Sequence, residues 1–159
     1  MTITMQTREE IPSGLQSNIP EGARVLVVCD DDLEARRLRT LLLDAGLASD
    51  CAKTITTACG AAKSGQFQVV VSIPYLRDGS WRRLTDIANH YDLRFEVVLW
   101  AHKFDLHEWA EALDQGAFDV LDAVNEESRV GEVTKSALWV TYLKGAGPNP
   151  REIPSPKVA

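Results

Sequence analysis

ARVLVVCDDDLEARRLRTLLLDAG, residues 23–46, joins two patterns that together indicate the fold. Residues 23–29 form a short, Val-rich apolar run without polar alternation, which is typical of a strand buried on both faces. The following residues place apolar side chains at helical spacing between Leu38 and Ala45, and the pattern ends at Gly46, a residue suited to a helix C-terminus. The stretch predicts a buried strand followed by an amphipathic helix.

The same alternation recurs along the chain to about residue 145. Further buried strands are predicted at residues 67–73 and 95–101, and weaker strands at 48–52 and 118–121. The remaining helices are predicted at residues 54–63, at 79–91 with Trp81, Leu84, Ile87, Ala88 and Tyr91 inward, around the stripe Leu106, Trp109, Ala110 and Leu113, and from Asn125 or Glu126 to Lys144. Five strands alternating with five helices predict an α/β fold with a parallel sheet, helices on both faces and right-handed crossovers.

The two ends of the chain are expected to lie outside this domain. Residues 1–22 are polar, contain two prolines and two glycines, and show no periodicity, so they predict a flexible leader. Residues 146–159 contain four prolines and little to bury, which is typical of a flexible tail. The predicted domain therefore spans residues 23–145.

Composition narrows the classes of function. The net charge is -6 and no cluster of Lys or Arg stands out, so binding to nucleic acid is not expected. No run approaches the roughly 18 apolar residues of a membrane span, and the first residues do not resemble a secretion signal. The three cysteines form no CxxC pair and are interpreted as reduced thiols, which favours a cytoplasmic protein.

Several short segments add a more specific signal. They are VLVVCDDD at the first strand, LLLDAG at the end of the first helix, FQVVVS at the third strand, the pair Asp78-Gly79, and GAFDVL entering the fifth strand. Their order and spacing resemble the receiver domain of bacterial two-component response regulators over about residues 23–144. The resemblance implies a flavodoxin-like (CheY-like) doubly wound sheet with strand order 2-1-3-4-5 and a site at the carboxyl ends of the strands.

The resemblance also implies a phosphoryl-transfer site. In that family a carboxylate ending the third strand accepts the phosphoryl group, an acidic pair binds Mg²⁺, and a Ser/Thr and a Lys bind phosphoryl oxygens. In this sequence the acidic pair falls on Cys29 and Asp30, the acceptor on Ile73 or Ser72, the hydroxyl on Trp100, the Lys on Ala123, and the aromatic switch residue on Val120. With most of these groups replaced, we expect a degenerate pseudo-receiver that is not an enzyme and holds no cofactor, Mg²⁺ included.

Some residues near these positions have two interpretations. Asp30 and Asp31, with Asp32, form either a residual acidic site or the N-terminal cap of the first helix, and capping is favoured. Trp100 is either a plug that fills the lost pocket or a platform for a ligand, and the plug is favoured. Cys29 is expected to be an apolar filler. The three histidines are expected to lie at the surface, and His102, near the end of the fourth strand, is the one to be considered for a ligand role.

The last helix carries the strongest sign of a partner. Its inward stripe is predicted to be Val130, Val133, Ala137 and Val140. Leu138, Trp139 and Tyr142 would then point outward, as residues of a protein interface do. A homodimer through this helix is predicted; the alternatives are a tail folded over these residues or simple exposure.

Three functions remain open at this point. The leading hypothesis is a non-catalytic, phosphorylation-independent signalling module that acts through protein contacts. The second is an atypical phosphorelay receiver that accepts phosphate at a displaced carboxylate such as Asp78 or Asp31. The third is a small-molecule sensor that uses the former phosphorylation pocket beneath Trp100.

Overall fold

A computed structural model describes residues 19–20 and 22–146 of the chain. Most of the predicted leader and nearly all of the predicted tail lie outside these residues. Among the described helices, none is long and apolar enough to cross a lipid bilayer.

The described part of the chain is organised around a five-stranded parallel sheet. Its strands are β1 (Val25–Val28), β2 (Ser49–Ala52), β3 (Val69–Ser72), β6 (Glu96–Ala101) and β7 (Asp119–Asp122), in the spatial order β2-β1-β3-β6-β7. Every residue of β1 and β3 is buried, which explains their continuous runs of Val and Leu. This order confirms the predicted flavodoxin-like fold.

Helices cover both faces of the sheet. They are α1 (Asp32–Asp44), α2 (Ile55–Lys63), α3 (Arg82–Tyr91), α4 (Leu106–Asp114) and α5 (Val130–Ala146). One buried cluster contains residues of α2, α3 and α4, and a second contains residues of α1 and α5. The carboxyl ends of β1, β3, β6 and β7 consequently meet at one edge, between the two helical layers.

The segment after β3 differs from the prediction. The predicted helix at residues 79–91 begins only at Arg82, because a short antiparallel hairpin of β4 (Tyr75–Leu76) and β5 (Gly79–Ser80) precedes it. Gly79 has a φ of 151°, a conformation that residues with a Cβ rarely adopt. Trp81 and Leu84 are buried as predicted, whereas Tyr91 is exposed and was wrongly expected to point inward.

Helix α4 does not bury its predicted stripe. Leu106, Trp109 and Ala110 are exposed, Leu113 is partly buried, and Ala112 is the buried residue of the helix. Helix α4 packs mainly against β7, the last strand of the sheet. Only a narrow part of the helix surface is therefore covered. The stripe that indicated a core face is left largely open to solvent.

The last helix differs from the prediction in where it begins and in how much of its surface is buried. It begins at Val130, after a 3₁₀ turn at Glu127–Arg129, rather than at Asn125 or Glu126. Val130, Val133 and Ala137 are buried as predicted, and Val140 is only partly buried.

Leu138 is only 1% exposed, so its assignment to an outward face was wrong. The physical reason is that α5 packs against both the sheet and α1, which covers a wider arc of the helix than one stripe.

Candidate functional site

The carboxyl ends of the strands surround an open cleft of about 510 Å³. Of the positions inferred from the resemblance, Cys29, Asp30, Ile73 and Trp100 line this cleft. Asp31 lines it as well. The sheet therefore brings these positions together at one edge, whereas Ser72, Val120 and Ala123 do not line the cleft.

The end of β3 offers no acidic acceptor. Ser72 is fully buried, and its hydroxyl donates a 2.7 Å hydrogen bond to the carbonyl oxygen of Ile73. Ile73 is partly buried and packs against both hydrophobic clusters. A carboxylate nucleophile is therefore missing at both candidate acceptor positions.

Trp100 is fully buried at the end of β6. Its indole Nε1 donates a 2.5 Å hydrogen bond to Oε2 of Glu34, a residue of the first turn of α1. His102 Nε2 lies 3.0 Å from the same oxygen. The indole thus occupies interior space and contacts a carboxylate instead of binding a phosphoryl oxygen.

Glu34 is charged although it is mostly buried. Burial acts to raise the pKa of this carboxyl, but hydrogen bonds from Trp100 and His102 and the charge of Arg37 outweigh it and hold the pKa below its usual range. The site therefore contains an anion supplied by the chain itself.

Arg37 extends this network to Ala123, the residue that follows β7. Its Nη1 donates to Glu34 Oε1 at 3.2 Å, and its Nη2 donates to the carbonyl oxygen of Ala123 at 3.0 Å and pairs with Glu127. The guanidinium also lies 5.8 Å from the centroid of the Trp100 ring. The guanidinium of Arg37 therefore contacts the backbone of Ala123. Ala123 is fully buried, and its own side chain is uncharged.

The acidic residues after β1 have separate roles. Asp31 Oδ1 accepts a 3.0 Å hydrogen bond from the Glu34 amide and caps α1, as the capping interpretation requires. Asp32 pairs with Lys53 Nζ at 2.7 Å, and Asp30 is exposed. No group of three or more His, Cys, Asp or Glu among the described residues is arranged to hold a metal ion.

Cys29 is poorly suited to act as a nucleophile or a metal ligand. Burial raises the pKa of its thiol to about 11, so the thiolate is scarce at neutral pH. Its Sγ lies 3.5 Å from the carbonyl oxygen of Asp31. These features agree with the role of an apolar filler.

Asp78, the displaced carboxylate of the second hypothesis, has a structural partner. Its two oxygens each accept a 2.9 Å hydrogen bond from the amides of Ile55 and Thr56, at the start of α2. These bonds lower the pKa of the carboxyl to about 2. Asp78 does not line the cleft around Trp100.

Sequence reasoning missed Glu34 and Arg37. The local signal was their spacing of three residues, which on a helix places an acid beside a base. Their contacts with Trp100 and Ala123 join residues 66 and 86 positions apart, and no local pattern shows such contacts.

Comparison with known proteins supports the fold. No family model and no curated protein matches the chain. Among solved structures, the signal receiver domain of a putative Luxo repressor protein from Vibrio parahaemolyticus superposes with a TM-score of 0.70 at 20% identity, over 76% of this chain and 93% of that one. The receiver domain of the Francisella response regulator 1452 gives a TM-score of 0.68 at 18% identity, over 74% of this chain and 98% of that one.

A third neighbour is the beryllofluoride-activated NtrC4 receiver domain, a dimer in solution, with a TM-score of 0.67 at 24% identity, over 74% of this chain and 98% of that one. Similarity at this level of identity establishes the architecture. The chain has the CheY-like receiver fold.

Proposed function

We propose that this chain is a non-catalytic, receiver-like module of a two-component type signalling pathway, and that it acts through protein contacts without being phosphorylated. The observation that carries the proposal is the end of β3, where Ser72 and Ile73 stand in place of an acidic acceptor. An aspartyl phosphate needs a carboxylate nucleophile, and neither residue provides one.

The network around Trp100 supports the same proposal. A receiver switches because a phosphoryl group forms new bonds to the ends of neighbouring strands. Here Glu34 and Arg37 already connect α1 to Trp100 and to the backbone of Ala123. Because these bonds are made by the unmodified chain, the strand ends are held in place without a phosphoryl group.

The remaining parts of the proposal concern assembly and location. We place the protein in the cytoplasm, where its cysteines, all free thiols, would stay reduced. We retain the predicted homodimer through α5. Its predicted interface residues are reduced to Trp139 and Tyr142, whose rings pack edge to face with centroids 5.3 Å apart. Leu138 takes no part in it, because it is buried.

The test is thermal unfolding with and without Mg²⁺ plus beryllofluoride, a stable analogue of the phosphoryl group. We expect no shift of the unfolding midpoint. A ligand at about 100 times its Kd would add about 2.7 kcal/mol, which raises the midpoint of a domain of this size by about 5–10 °C. Incubation with a phosphodonor and Mg²⁺, followed by intact mass measurement, is expected to leave the mass unchanged.

Either a midpoint shift of that size or the gain of one phosphoryl group would overturn the proposal. A receiver domain with an intact acidic site serves as the positive control. If phosphate were gained, Asp31→Asn and Asp78→Asn would show which carboxylate of the second hypothesis accepts it.

A small-molecule sensor is the second candidate, because the cleft beside Trp100 is open to solvent and large enough for a ligand. Trp100 is its natural reporter. A change of tryptophan fluorescence on titration with nucleotides or metabolites, abolished by Trp100→Phe, would favour it over the leading proposal.

A further inference from the structure

The cleft at the strand ends has the size and the apolar walls of a small-molecule site. Its volume of about 510 Å³ lies within the range of about 300–1,000 Å³ that ligand pockets span. Pro74 and Tyr75 line it on the side of the β4–β5 hairpin, and Ala101 and Phe104 line it at the end of β6. Besides the buried Trp100, two aromatic rings therefore face a cavity large enough for a ligand.

The hairpin holds Tyr75 in place, although this side chain is 58% exposed. Its neighbour in β4, Leu76, is buried, so the alternation of the strand turns Tyr75 outward. The amide of Trp81 donates a 3.0 Å hydrogen bond to the carbonyl oxygen of Pro74 and closes the base of the hairpin. At its turn, the Asp78 carboxylate accepts two bonds from the first amides of α2. An aromatic side chain on such a fixed backbone loses little freedom when a ligand binds.

The charges around the cleft are mostly negative. Four carboxylates line it, those of Asp30, Asp31, Glu34 and Glu108. Among the lining residues, Lys103 is the one Lys or Arg, and His102, whose ring contacts Glu34, adds a positive charge only when it is protonated. This imbalance favours a cationic ligand and disfavours an anionic one, nucleotides included.

Three of the four carboxylates already bond within the chain. Glu34 belongs to the network around Trp100, Asp31 caps α1, and Glu108 belongs to the capping box of α4. Asp30 is exposed and forms no hydrogen bond or ion pair with any residue that the structure describes. Asp30 is therefore the carboxylate that is free to pair with a ligand.

We propose that this cleft binds a small organic cation, an amine or guanidinium group attached to an apolar or aromatic body. The cationic group pairs with Asp30, and the body packs against Tyr75 and Phe104, where cation–π attraction adds to the contact. This inference rests on the small-molecule sensor, the second candidate function, because it names the chemical class of its ligand. The ligand then supplies the signal that a phosphoryl group supplies in a receiver.

The experiment compares three probes that share a phenyl ring and differ in charge: 2-phenylethylamine, 2-phenylethanol and 3-phenylpropionate. Binding to the full chain, labelled with nitrogen-15, is followed by the chemical shifts of the backbone amides at neutral pH and low ionic strength. We expect the amine to bind about fivefold more tightly than the alcohol, as one exposed ion pair allows, and the propionate not to bind.

Two substitutions test the named contacts. Asp30→Asn is expected to weaken binding of the amine about fivefold and to leave binding of the alcohol unchanged, because it removes the charge alone. Tyr75→Ala is expected to weaken binding of both probes several-fold. The matched controls are Asp86→Asn and Tyr91→Ala in α3, which change an exposed aspartate and a 53% exposed tyrosine outside the cleft. Both controls are expected to bind the probes as the original chain does.

Equal affinities for the three probes, or equal losses in Asp30→Asn and Asp86→Asn, would overturn the inference. Displacement of the amine by Mg²⁺, beyond that caused by Na⁺ at the same ionic strength, would assign Asp30 to a metal ion and overturn it as well.

The beryllofluoride test separates this inference from the leading proposal. If no probe binds and the unfolding midpoint does not shift, the cation site is refuted and the leading proposal stands. If the amine binds selectively and the midpoint rises with beryllofluoride, phosphorylation independence is refuted and the cation site stands.

Discussion

The sequence predicts one inward apolar stripe for α4 and one for α5, and the structure departs from the two predictions in opposite directions. The α4 stripe predicts a buried face, yet Leu106 and Trp109 are exposed. The α5 pattern predicts an exposed Leu138, yet this residue belongs to the buried cluster shared with α1. The two helices differ in what surrounds them, because α4 lies against the last strand of the sheet whereas α5 packs on β3, β6 and α1.

The comparison teaches that periodicity shows where an apolar face lies but not what covers it. A helix against the middle of a sheet is covered by several strands and by a neighbouring helix. A helix at the edge is covered by less, so part of its apolar face remains available to a partner. The sequence pattern alone would assign the α4 stripe to the core, whereas the structure leaves Leu106 and Trp109 open to solvent.

The largest expected effect comes from truncating one leucine on each helix. Leu138→Ala is expected to lower the free energy of unfolding by about 2–5 kcal/mol, because it removes buried methyl groups and leaves a cavity. Leu106→Ala is expected to change it by less than about 0.5 kcal/mol, because this side chain is exposed. Urea unfolding of the two variants measures both values, and similar losses would break the distinction between the helices.

A smaller effect is expected where α5 meets α1. A Cβ built on Gly131 would lie 2.6 Å from the Cβ of Ala45, so the two helices touch at this glycine. Gly131→Ala is expected to destabilise the fold by about 1–3 kcal/mol through this clash, although alanine favours a helix.

The matched variant for this test is Gly60→Ala in α2, where the added Cβ meets no atom within 4 Å beyond its chain neighbours and the nearby backbone of its own helix. It is expected to stabilise the protein by about 0.5–1 kcal/mol. The two substitutions are chemically identical, so any difference between them comes from their surroundings. They should move the unfolding midpoint in urea in opposite directions. Stabilisation by both would mean that α1 and α5 are less closely packed than described.

The sheet could be predicted because its signals are local. The strands β1 and β3 are buried on both faces, so an apolar run was sufficient to find them. The hairpin of β4 and β5 was missed because its residues offer no apolar alternation, and its Asp-Gly pair precedes a helix in the family that the chain resembles.

The site was predictable only in part, for a physical reason. The positions at the strand ends follow from topology, so Cys29, Ile73 and Trp100 could be placed together from the sequence. The hydrogen bond from Trp100 to Glu34 depends on how α1 lies on the sheet and on side-chain rotamers. Helical spacing alone does not reveal which carboxylate meets the indole.

The smallest expected effect concerns the N-terminal cap of α4, a helix with little of its surface buried. Asp105 Oδ1 accepts a 2.8 Å hydrogen bond from the Glu108 amide, and Glu108 Oε1 accepts one from the Asp105 amide at 3.0 Å, which forms a capping box. Asp105→Ala is expected to cost about 1 kcal/mol and, because Ala112 is the one buried residue of the helix, to speed amide hydrogen exchange in α4 about fivefold. Thr54→Ala removes the corresponding cap of α2, which buries four residues, so exchange in the middle of that helix should change little. Unchanged exchange in α4 would show that packing rather than the cap holds this helix, and would weaken the contrast with α5.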